Sequence, residues 1–483
     1  MRSATYSDAS TLSAATSSVV EVRPYQATES SSLQVPAAAR HWLGLSVASL
    51  LIAGLLSLLV VLGRLPFSAN WIADPLFFQR CLVVHVNLSL IVWFYAFAVS
   101  LAKLRQAQPS TTVHWVSITA TIAGIGLMLA GALVPDAQPV LANYIPVIDQ
   151  PLFLAGLVLI FAGVITGMFP LLCGRPQCNR AGMSNDVGVA IQAAGVAMVL
   201  AAVSWLAAYS GMPEGVSQWV FFEFTAWGAG HVLQVANVCL MLTVWLWIVH
   251  LVSTKPLFTT GQARILFAVL LAPHMLMPLL PWEGSLSNLY IHGSTQLMRW
   301  GIFPVVLFVM YRSFRHLRAH SKPNSDARQR ALRVGLYASI ALTLLGFILG
   351  AMIRGSTTLV PAHYHAALGG VTMALMVAAF LISESVWRGR GREPSNPQHW
   401  RSKGRQFALY GVGQVVFAMG FAIGGSYGLG RKTYAAESAT RSLGELVGLS
   451  VMGIGGLMAA AGGLYFLYLI FQDFRLWKGT VSA

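Results

Sequence analysis

The chain is poor in charge. Asp, Glu, Lys and Arg make up only 10% of its 483 residues, against roughly a quarter in an ordinary soluble domain. That excludes a soluble globular protein of this size. Acidic residues are scarcest: 16 Asp and Glu face 31 Lys and Arg, for a net charge of +15. There are four cysteines, Cys81, Cys173, Cys178 and Cys239. Cys173 and Cys178 share one loop and read as free thiols rather than a metal pair. No phosphate-cradling glycine loop and no soluble catalytic triad is present. Residues 1–38 are rich in Ser, Ala and Thr and have no long apolar run of the kind a cleavable signal peptide needs. They read as a disordered N-terminal tail.

What is present is apolar length. Hydrophobic residues make up 56% of the chain. Twelve stretches are long and apolar enough to span a bilayer: about 43–63, 79–102, 115–134, 150–172, 186–208, 218–249, 264–281, 287–311, 334–353, 363–384, 406–428 and 444–471. The expected fold is all-α: one twelve-helix membrane domain over 39–475, then a short tail, 476–483. The excess positive charge then needs no nucleic acid, because Lys and Arg collect in cytoplasmic loops. With the N-terminus inside, the inner loops hold Lys103, Arg105, Arg175, Arg180, Lys255 and Arg264. They also hold dense basic groups over 312–333 and 388–405. The outer loops hold only Arg64, Arg80, Arg354, Arg431, Lys432 and Arg441. This orientation suits a bacterial inner membrane.

Six of the twelve histidines fall within helices in this topology: His85, His231, His274, His292, His363 and His365. All six land in the outer half of the membrane, on five helices. One ionisable group at that depth can be a satisfied core residue. Six at a common depth point to a shared metal or cofactor layer. His363 and His365 open helix 10 in VPAHYHAALGG. Successive helical residues turn by about 100°, so positions two apart face nearly opposite ways. The pair cannot hold one metal. It can serve two cofactors on opposite flanks, and histidine is a standard axial ligand of haem iron.

With RCLVVHVNLSLIVWF in helix 2 and WGAGHVLQVAN in helix 6, the pattern resembles catalytic subunit I of the haem-copper oxidase superfamily, over nearly the whole chain after residue 40. The resemblance implies two haems and one non-haem metal, copper or iron. His85 and His365 would be the axial ligands of a low-spin haem, and His363 the proximal ligand of a high-spin haem. His231 and His274 would hold the second metal. Arg431 and Lys432, in GLGRKTY, would meet the haem propionates. No Cys-x-x-Cys-His site occurs, so a cytochrome c-type or copper-bearing donor would be another chain.

Two departures stand out. The family usually has adjacent histidines on helix 7, but LAPHMLMP puts Pro273 before His274. His292 could supply the third ligand, or could be an interfacial residue. Oxygen-reducing members also carry a tyrosine on helix 6 or 7. Here Val235 stands one turn after His231, helix 7 has no tyrosine, and Tyr290 is the nearest substitute in sequence. Nitric oxide-reducing members often place a carboxylate near the helix 6 histidine, where this chain has Gln234. The substrate expected is therefore O2 or NO. The other reading is a non-catalytic di-haem electron carrier without the second metal. His292, Gln296 and Arg299 form an i, i+4, i+7 stripe expected to face protein or water rather than lipid.

Overall fold

The structure, a computed structural model, describes residues 34–62, 74, 76–174, 177–320, 326–388, 397–431 and 442–478. The tail expected over 1–38 therefore lies outside the described residues except for 34–38. α1 already begins at Ala37.

The described residues contain twelve helices long and apolar enough to cross a membrane, as the apolar runs predict. They are α1 (Ala37–Leu62), α2 (Phe77–Arg105), α3 (Thr111–Ala132), α4 (Pro151–Leu172), α5 (Asn185–Ser210) and α6 (Gln218–Ser253). They continue with α7 (Thr260–Glu283), α8 (Asn288–His320), α9 (Ala327–Met352), α10 (Leu359–Arg388), α11 (Pro397–Ser426) and α12 (Leu443–Lys478). The protein is an integral membrane protein. α6 and α10 form its centre: 89% of the apolar window of each is buried, against 28% for α1. Side chains join this centre to α9. Trp245 donates to Ser339 Oγ at 2.8 Å, and Ser339 donates to the Gly370 carbonyl at 2.7 Å.

Helix ends follow local chemistry. Thr259 and Gln262 form a reciprocal capping box at the start of α7. Ser110 and Asp326 accept from the first turns of α3 and α9. At the end of the bundle away from the expected histidine layer, charges are buried but paired. Lys403 and Asp473, both fully buried, meet at 3.1 Å, and His399 contacts the same carboxylate at 2.7 Å. Glu384 receives Arg328 at 2.8 Å. Paired charges of this kind tie α9 to α10 and α11 to α12, because stranding either partner would leave a buried charge uncompensated.

The helices are irregular where the histidines lie. α2 widens into a π-turn over Asn87–Val92, just after His85. α6 breaks at Ala226, between Gln218–Thr225 and Trp227–Ser253. α7 tightens to a 3-10 helix over Ala272–Glu283. Pro273, Pro278 and Pro281 lack the N–H that continues an α-helix, which accounts for the tightening. Between α3 and α4, strands β1 (Gln138–Val140) and β2 (Val147–Asp149) pair antiparallel, with Val140 opposite Val147. Their connection, 141–146, reaches into the bundle.

Candidate functional site

Four of the expected histidines share one local device. His85 Nδ1 lies 2.7 Å from the Ala53 carbonyl, and His363 Nδ1 lies 2.7 Å from that of Gly346. His231 Nδ1 lies 2.7 Å from the Trp227 carbonyl, and His274 Nδ1 lies 2.9 Å from that of Leu270. A carbonyl only accepts, so each Nδ1 carries the proton and each Nε2 presents a lone pair. Orienting a ligating imidazole through its second nitrogen is the usual arrangement at metal sites.

The two histidines of α10 part company as helical geometry requires. His363 turns toward α9, where any side chain at Gly350 would fall on its ring. His365 turns toward α11. It stacks on Phe421 with centroids 5.3 Å apart and planes 7° apart, and meets Phe417 edge-on at 4.8 Å. Its ring nitrogens have no hydrogen-bond partner among the described residues. His85 is close enough to feel a charge on His365. One flank of α10 thus presents His365 and the other His363.

His231 and His274 both reach α8, His231 at Thr295 and His274 at Gly301. His274 is fully buried and seated on Gly301 of α8, where a Cβ would overlap its ring. Its Nε2 is buried without a partner. His231 Nε2 differs: the Tyr144 hydroxyl lies 3.0 Å away and the Thr295 hydroxyl 3.3 Å away. Thr295 also lies 3.2 Å from the Ile291 carbonyl, so its one proton has a competing acceptor.

Tyr144 comes from the 141–146 connection, and sequence reasoning missed it. Its ring lies on Gly230, whose missing side chain makes the room. It packs 4.7 Å from the His231 ring and 5.6 Å from Trp227. The connection is held from three directions. Asn87, from the π-turn, donates to the Pro146 carbonyl at 2.8 Å. Glu223 accepts from the Asn143 backbone at 2.8 Å and from its amide. Arg431 donates to the Asn143 side chain. Burial and then the Glu223 charge push the Tyr144 phenol up, against Arg431, so the hydroxyl stays protonated. The available signal was the placement of 141–146 in an outer gap, level with the histidines.

Other expected residues lie elsewhere. His292 is exposed, while Ser294 is buried and Thr295 reaches His231. The structure does not bring His292 to the His231–His274 pair. Gln296 and Arg299 are exposed as well, so the stripe expected to face protein or water does not pack against protein and lies on the outward face of α8. The opposite stripe, Tyr290, Ser294 and Gly301, packs inward. Tyr290 is fully buried but braces the break in α6. It lies 2.8 Å from the Gly228 N–H and donates to the Phe224 carbonyl at 2.8 Å. Lys432 lies outside the described residues.

No protein-family model matches the chain. An uncharacterised protein of Aquifex aeolicus (strain VF5) is 28% identical over 70% of this chain and 83% of its own length. One of Rickettsia prowazekii (strain Madrid E) is 23% identical over 91% and 96%. Among solved structures, a heme-copper terminal oxidase, determined as a dimer, is similar over 93% of this chain and 85% of that one, with a TM-score of 0.60 and 14% identity. The chain has the fold of a haem-copper terminal oxidase.

The donor chemistry can be set against the groups that this fold implies. His85, His363 and His365 suit axial imidazoles on two haems, since no protein partner occupies their remaining nitrogens among the described residues. A second metal on three imidazoles does not fit. Among the described residues no group of three His, Cys, Asp or Glu could hold a metal ion, and the His231 lone pair already has a hydroxyl partner.

Proposed function

We propose that the chain is the catalytic subunit of a respiratory, oxidase-like oxidoreductase that carries two haems and reduces a small gas, O2 or NO. The observation that supports this best is the division of α10, with His365 turned to α11 and His363 turned to α9. Bound there, a haem pair would supply one-electron transfer on the first flank and a gas-binding iron on the second. His85 and His365 would hold a six-coordinate, low-spin haem. His363 would hold a high-spin haem. The Nδ1 bonds to Ala53 and Gly346 fix ring orientation and tautomer in both places. Apolar neighbours such as Phe417 and Phe421 keep water from the low-spin side. The Tyr144 hydroxyl is the protein group placed to hold a proton beside His231.

Electrons would come from an outer-side donor, a cytochrome c-type or copper-bearing subunit. Arg431, and Lys432 beside it, would meet the propionates at the outer edge. The distribution of Lys and Arg supports an N-terminus on the cytoplasmic side of a bacterial inner membrane. The test is a reduced-minus-oxidised spectrum with haem quantitation, followed by separate O2 and NO consumption by purified protein with a reduced donor. Two haems in distinct spin states with gas turnover are expected. A chain without haem would sink the reading.

One observation favours a second reading. The incomplete metal set at His231 and His274 suits a di-haem electron carrier without gas chemistry. Two haems with no turnover of either gas would select it.

A further inference from the structure

We propose that a hydroxyl cap excludes the second metal from this chain: Tyr144, assisted by Thr295, occupies the His231 lone pair that a metal would need. The inference rests on the haem reading above and adds to it the state of the His231 and His274 site.

The argument follows from proton placement. His231 Nδ1 must donate to the Trp227 carbonyl, so Nε2 can only accept. The Tyr144 O–H at 3.0 Å is therefore the donor. Thr295 is the weaker partner, since it is farther away and shares its proton with Ile291. His274 carries the same Nδ1 anchor, yet its Nε2 has no partner. A metal bound here would have to displace Tyr144 to gain its second imidazole, and no third ligand of the usual kind would reward the exchange.

The cap is also built to stay. Gly230 gives the Tyr144 ring its seat, and Asn87, Glu223 and Arg431 clamp the connection that carries it. Helices α2 and α6 and the turn after α11 thus share in holding one phenol against one imidazole. Such a network would be superfluous for a loop that merely crosses the surface.

The test uses the purified haem-loaded protein, with haem and non-haem metal measured in each sample. Wild type is expected to hold two haems and less than about a tenth of an equivalent of copper or non-haem iron. It should resist copper(I) added under reducing buffer. Tyr144→Phe, and Tyr144→Phe with Thr295→Val, should keep both haem spectra and take up copper(I) at roughly tenfold lower free metal or less. Adding His231→Ala should abolish that uptake. A stoichiometric non-haem metal in wild type, lost in His231→Ala, overturns the cap. So does failure of the uncapped variants to bind metal any better than wild type. Loss of haem from wild type itself would count against the haem reading rather than the cap.

Discussion

His363 and His365 stand two residues apart on α10 and serve opposite neighbours. His363 is anchored to the Gly346 carbonyl of α9, and His365 is stacked on Phe421 of α11. The two side chains cannot belong to one coordination site. His365→Ala and His85→Ala should each remove the low-spin haem, and His363→Ala the high-spin haem. Visible spectra of the purified variants check this. Loss of the same haem from the His363 and His365 variants would refute the two-flank arrangement.

The glycine seats make a gentler test. A Cβ at position 350 would meet the His363 ring, and one at 301 the His274 ring. Gly350→Ala should lower high-spin haem content and leave the low-spin spectrum intact. Gly301→Ala should leave both spectra unchanged, because no haem is assigned to His274. A Gly301→Ala protein short of either haem would contradict that assignment.

Tyr290 and Tyr144 should behave differently. Tyr290→Phe takes the Gly228 N–H's acceptor away and removes one of the two donors to the Phe224 carbonyl at the break in α6. Leaving buried polar groups unpaired costs about 1–3 kcal/mol. Its melting temperature in detergent should fall, with gas turnover per folded haem retained. A turnover loss larger than the stability loss would move Tyr290 into the site.

The substrate test separates the gases. With no tyrosine on α7 and Val235 beside His231 on α6, NO turnover is expected to be substantial. Any O2 turnover should lack a tyrosyl radical from α6 or α7. Tyr144 is the phenol next to His231, so a radical found there should vanish in Tyr144→Phe. Fast O2 reduction that survives that change, with negligible NO turnover, would reverse the expectation.

One pH effect lies outside the membrane-spanning segments. The Arg80 guanidinium holds the Asp74 carboxyl below its usual value and also bonds the Ala132 carbonyl at 2.9 Å. A pKa lowered on folding contributes stability above the unfolded value, and that contribution is lost as pH falls through the folded one. Wild type should therefore melt above Asp74→Asn near pH 7. The gap should close below about pH 4. A gap that persists in acid would mean that Asp74 acts by shape rather than charge.

The sequence by itself determined the twelve-helix membrane fold, because apolar length and sparse charge leave a chain no other way to solvate its surface. It also determined the opposition of His363 and His365, since that follows from the turn angle of any helix. It could not place His292 or Tyr144. Shared depth fixes only one coordinate; which way a side chain faces depends on how its helix is rotated against its neighbours. That rotation turned His292 outward and set Thr295 toward His231. Tyr144 lay further from view because a connection between helices has no periodicity to read. Only Gly230, Asn87, Glu223 and Arg431, drawn together from distant parts of the chain, brought its hydroxyl to the imidazole.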